Sequence, residues 1–72
     1  MEVRQVLPII SAALTVARAL RGLTIPEAAG LSGVGEDDVF AAENSLEDAD
    51  PVCVQLIAIA LGVDLTALNS AP

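Results

Sequence analysis

The stretch Leu23 to Asn44, LTIPEAAGLSGVGEDDVFAAEN, decides how the whole chain is read. It predicts two short helices joined by a tight turn. Thr24 stands at an N-cap position, and Glu27 follows at the spacing that lets each side chain accept from the other's backbone N–H. Pro26 fits between them, because the first turn of a helix has no internal partner for that N–H. Gly33 falls where a chain leaving a short helix needs a positive φ. Val34 can plug a core, and Gly35-Glu36 opens the second helix, which runs through Val39 and Ala42 to Asn44. The unit is a helix-turn-helix.

Working toward the N-terminus, residues Met1–Leu7 read as a mixed arm. Pro8 disfavours the α conformation at Leu7, so the first regular helix is expected to begin at Pro8. Ile10, Leu14, Ala17 and Arg21 then follow helical spacing, and Gly22 is a natural stop. On the other side, Ser45–Asp50 is rich in turn formers and acids and reads as a loop. Pro51 opens a helix to Leu61 with Val54, Ile57, Ala58 and Leu61 on one face, ended by Gly62. A last short turn is expected over Asp64–Asn69, with Asp64 as N-cap and Leu65 and Leu68 inward. No stretch shows the two-residue period of a strand. The expectation is an all-α fold, a compact five-helix domain spanning residues 1–72 with a short arm at 1–7.

Composition narrows what such a domain can do. The hydrophobic fraction is 54%, carried by Ala, Leu, Val and Ile, with Phe40 as the sole aromatic residue. The chain has no His and one cysteine, Cys53. That excludes an intrachain disulfide framework, suits a reducing cytoplasm, and leaves metal or proton-shuttle chemistry few ligands. No base accompanies a Ser or Cys in a nucleophilic arrangement and no Gly-rich phosphate loop follows a strand, so an enzyme is not expected. No cofactor or metal is expected either. The apolar run Val6–Ala17 is too short for a membrane span and contains Pro8. Net charge is −7, split unevenly: residues 1–21 carry +2 and residues 22–72 carry −9, with Arg4, Arg18 and Arg21 the only basic residues.

In order along the chain, Arg18, Gly22-Leu23-Thr24, Ala29, Gly33-Val34, Glu43 and the run Ala60-Leu61-Gly62-Val63-Asp64-Leu65-Thr66-Ala67-Leu68 form a set. That set resembles the Cro and lambda-repressor type of helix-turn-helix domain over roughly residues 9–69. The resemblance implies a lambda-repressor-like fold and a structural pairing of Arg18 with Glu43. It also implies where DNA would be touched, and there this chain departs from the pattern. Ile25, followed by Pro26, occupies the place of a Gln at the start of helix two, and Gly35 the place of a Ser before helix three. The groove-facing positions correspond to Glu36, Asp37, Asp38, Ala41 and Asn44. DNA affinity comes largely from basic groups that displace counterions, and base readout needs Arg, Lys, Asn or Gln. One Asn stands here against three adjacent acids. Acids in a first helical turn also favour the helix dipole by roughly 0.3–1 kcal/mol each, which accounts for one or two of them in any helix.

Apolar residues depart from the pattern as well. In helix four, Val52, Leu56 and Ile59 lie off the core stripe at places the family usually fills with charge, and Val16 and Leu20 do the same in helix one. A helix apolar on two faces is doubly buried or an interface. The expectation is therefore a helix-turn-helix protein that has lost DNA binding and grips a transcription regulator, in the manner of antiactivators and antirepressors of mobile genetic elements. The contact residues would be Glu36, Asp37, Asp38, Phe40, Ala41, Asn44, Val52, Leu56 and Ile59. The partner would be a protein with a basic surface, with room for a weak homodimer and with neither specific nucleic acid nor membrane involved. The alternative is a dimeric, sequence-specific DNA-binding repressor.

Overall fold

A computed structural model describes the backbone of residues 3–66 and the side chains of residues 9–66. It contains four α-helices, α1 (Val3–Leu20), α2 (Ile25–Ser32), α3 (Glu36–Asn44) and α4 (Pro51–Leu61), with a 3-10 turn at Leu46–Asp48. No strand occurs among the described residues. The sequence-based count of five helices is thus not reproduced: beyond α4, Leu65 and Thr66 are helical, and the remainder of the expected Asp64–Asn69 turn, Leu68 included, lies outside the described residues.

The long first helix corrects the expected boundary. α1 begins at Val3, so residues 3–7 belong to it rather than to an arm. Pro8 deprives only the carbonyl four residues back, that of Arg4, of its ladder partner, and its ring holds a φ that is itself helical. The loss therefore falls in the first turn and does not end the helix. From Ile10 and Leu14, both buried, the inner face of α1 packs on α3 and α4.

The α2 start forms as its residues dictate. Thr24 Oγ1 accepts from the Glu27 N–H at 3.2 Å, and Glu27 Oε1 accepts from the Thr24 N–H at 2.9 Å. At the other end Gly33 takes φ 74°, where a Cβ would be strained, and its N–H donates to the Ala29 carbonyl at 2.9 Å. Three residues, Gly33-Val34-Gly35, then turn the chain into α3, whose Val39 and Ala42 are fully buried. The expected Ser45–Asp50 loop contains the 3-10 turn because Leu46 and Ala49, three apart, both pack against the core. Asp50 Oδ1 then accepts from the Val52 N–H at 2.8 Å and starts α4 with Pro51 in its first turn.

The core comprises Ile10, Leu14, Ala28, Ala29, Val39, Ala42, Val54, Ile57, Ala58 and Leu61. Four of these ten are alanines. Short side chains let α2, α3 and α4 approach closely, so that a chain with a Cα radius of gyration of 11.2 Å closes a core without an aromatic residue.

One polar cluster ties the helices together. Glu43 of α3, with only 4% of its side chain exposed, accepts from Arg18 Nε at 2.7 Å and Arg18 Nη2 at 3.0 Å. Thr15 Oγ1 donates to the same carboxylate at 3.1 Å, and Arg18 Nη1 donates to the Leu23 carbonyl at 2.8 Å. Arg18 thereby links α1, α3 and the entry to α2. Among the described residues no buried side-chain polar atom is left without a partner.

Candidate protein-interaction faces

The first turn of α3 is built from Gly35-Glu36-Asp37-Asp38, and its three acids do not share one role. Asp38 Oδ2 accepts from the Gly35 N–H at 3.0 Å, closing the helix start from the carboxylate side alone. Gly35 takes an ordinary φ of −78°, so no glycine is needed for its backbone; a Cβ there would instead stand 3.2 Å from Asp38 Oδ2. The absence of a side chain gives the Asp38 carboxylate its room. Asp38 is half-buried, whereas Glu36 and Asp37 are exposed. The acidic display is therefore narrower than the sequence suggests: two carboxylates point to solvent and the third serves its own helix.

Asp38 also reaches α4. Burial, then the charges of Asp38 and Asp50, push the Cys53 thiol above its ordinary value. That direction is opposite to the one that activates a nucleophilic cysteine. No group of His, Cys, Asp and Glu that could hold a metal ion occurs among the described residues.

The remaining α3 positions divide in the same way. Phe40, 56% exposed, is the large apolar side chain of its outer face. Asn44 is exposed, but its Nδ2 donates to the Phe40 carbonyl at 3.0 Å within its own helix. Ala41 is half-buried, and its carbonyl accepts from the Ser45 N–H at 2.7 Å. Ile25, which stands where the resembled family carries a polar reader, packs against the core.

On α4, Val52, Leu56 and Ile59 are 66%, 41% and 65% exposed, so this stripe lies outside the core and on one helical face. Leu31 of α2 is also exposed, a feature the sequence pattern hides. Its spacing from Ala28 suits a core position, but α2 ends one residue later, where Ser32 Oγ donates back to the Ala28 carbonyl of the same helix at 2.7 Å. The signal that could have found Leu31 is Gly33, which stops the helix just beyond it.

Electrostatics divide the molecule. Beyond Arg21 the chain has no basic residue. Arg18 is spent on Glu43 and Leu23, and Arg21 donates from Nε to the Leu61 carbonyl at 3.2 Å. Helices α2, α3 and α4 thus carry carboxylates and apolar side chains but no basic residue of their own, the exposed Arg21 standing at the C-terminal end of α4. No single helix among the described residues is long and apolar enough to cross a membrane. No known protein family, curated protein or solved structure matches the chain.

Proposed function

We infer that this is a helix-turn-helix protein of the lambda-repressor-like type that has lost DNA binding and inhibits a transcription regulator by protein contacts in the cytoplasm. The observation that carries the reading is the solvent face of α3. Glu36 and Asp37 are exposed at its start, Phe40 is exposed on its outer face, and no basic residue stands anywhere from Gly22 onward. At an effective surface dielectric, an acid within about 4–6 Å of a phosphate costs on the order of 1 kcal/mol or more before screening. The same carboxylates attract a basic protein surface and steer its approach. Phe40 and the stripe Val52, Leu56 and Ile59 supply the apolar area that holds the complex once formed. The lambda-repressor-like reading is supported by the α2–turn–α3 unit and by the Arg18–Glu43 pairing.

The deciding experiment is an amide chemical-shift titration with duplex DNA carrying the promoter upstream of the chain's own gene, at about 150 mM salt. No saturable shift is expected. Saturable shifts confined to residues 35–44 would overturn the reading and restore the DNA-binding repressor.

A further inference from the structure

A groove of about 360 Å³ opens between α1, the 3-10 turn, the start of α4 and the short helical turn at Leu65. Its floor is apolar, with Ile10 of α1 and Val54 of α4 both buried there. One wall is the segment from Leu46 to Pro51, whose residues divide between two surroundings. Leu46, Ala49 and Pro51 line the groove, and the residues between them, Glu47, Asp48 and Asp50, are exposed acids. Leu65 adds a further apolar side, and the polar groups at the mouth are the exposed Gln55 and Thr66, neither charged. A cleft of this size with an apolar floor and few polar groups is the ordinary form of a binding site. Among the described residues no cation stands against it: Arg18 is held by Glu43 and Leu23, and Arg21 lies at Leu61, the far end of α4 from Pro51.

We propose that this groove seats the apolar anchor of a basic peptide segment, with that segment's flanking Lys or Arg residues lying over Glu47, Asp48 and Asp50. Charge selects the occupant. The groove itself is lined by no ionisable side chain, so what enters it is uncharged, whereas every charge on the wall segment beside it is negative. A segment that is apolar at its centre and basic on its flanks satisfies both conditions, and an acidic one is repelled by three carboxylates. Burial of the anchor holds the complex, while the carboxylates steer its approach. The inference rests on the proposed reading in one respect, a partner whose surface is basic. It adds a concave site for the apolar anchor, which neither the acidic start of α3 nor the outer stripe of α4 supplies.

The test is an amide and methyl chemical-shift titration of the full chain with a capped synthetic peptide of adjacent leucines flanked by lysines, at about 50 mM and about 500 mM salt. Saturable shifts are expected at Leu46, Ala49, Val54, Gln55 and Leu65, with affinity falling severalfold at the higher salt. Twin peptides with glutamate for lysine, or alanine for leucine, should each bind at least about tenfold more weakly. Gln55→Phe, which fills the groove from its exposed mouth, should abolish the shifts with an unchanged far-ultraviolet circular dichroism spectrum. Glu47→Gln with Asp48→Asn should weaken binding severalfold. No saturable shift, equal binding of the glutamate twin, or shifts confined to residues 36–44 would each overturn the proposal. So would another occupant seen in the free chain. Nuclear Overhauser contacts from the Leu68 methyls to Val54 would put the chain's own end in the groove, and concentration-dependent shifts of the lining residues would put a second copy there. A regulator that binds the parent and Gln55→Phe equally would overturn this site and leave the proposed function standing; DNA binding at α3 with the peptide still seated in the groove would do the reverse.

Discussion

At Glu43 a carboxylate is buried almost completely and three donor groups from α1 converge on it. Removing one partner of such a cluster leaves the other's charge poorly solvated, which typically costs about 3–5 kcal/mol for a fully buried pair. Arg18 retains 19% exposure, so the lower part of that range applies. Glu43→Ala should therefore cost about 3 kcal/mol in denaturant unfolding. Partner binding per folded molecule should be nearly unchanged; equal stability with lost binding would mean that Glu43 belongs to the interface. Glu27 gives a second residue-scale prediction. The Thr24 backbone N–H, and then its hydroxyl, hold the Glu27 carboxyl below its ordinary value of 4.5. Because the folded value lies below the unfolded one, the stabilisation is complete above about pH 4.5 and is lost as pH falls through the folded value. Glu27→Gln should flatten that part of an acid-unfolding curve and leave the curve above pH 6 parallel to the parent.

At the scale of elements, α4 carries two apolar faces with different fates. Val54, Ile57, Ala58 and Leu61 are buried, and Val52, Leu56 and Ile59 are not. Leu56 is 41% exposed, so Leu56→Asp should lower stability by only about 1–2 kcal/mol and leave the domain folded. On the proposed function it should nevertheless abolish association with a regulator partner, as read by titration calorimetry. Unfolding of that variant would place the stripe in the core. The start of α3 supports a companion prediction. Asp38→Ala should lower stability by about 1 kcal/mol through loss of its contact with the Gly35 N–H. Glu36→Asn and Asp37→Asn, which remove exposed carboxylates, should leave stability within about 0.5–1 kcal/mol. If the paired variant and Asp38→Ala destabilise equally, the three acids act alike and the division between cap and display fails.

For the whole molecule, the charge gradient makes a kinetic prediction. On the proposed function, the carboxylates exposed on α3 would steer a basic partner from a distance, so the association rate should fall as salt rises while dissociation changes little. Glu36→Asn with Asp37→Asn should reduce both the rate and its salt dependence in stopped-flow measurements. An association rate indifferent to salt would remove the acidic face from the encounter.

The local pattern of the chain determined its helix ends wherever a side chain or a glycine acts on its own neighbours. Thr24 with Glu27, Gly33, Asp50-Pro51 and Gly62 all set boundaries through contacts within four residues, and these are legible from spacing alone. Pro8 misled, because whether a proline ends a helix depends on how the turn before it is held. The loop Ser45–Asp50 was legible as polar, but the 3-10 turn within it needed Leu46 and Ala49 to find the core. Of the candidate contact face, the loss of every cation beyond Arg21 is a property of composition and required no fold. Which acids face solvent did require it, since Asp38 turns back on Gly35 while Glu36 and Asp37 do not. The bare outer side of α1 was only half visible: Val16 and Leu20 stand out in the pattern, but that Ser11 and Thr15 bond to α3 appears only in the packed structure. Helical periodicity shows that a helix has two faces; only packing against a neighbour decides which of them is left over.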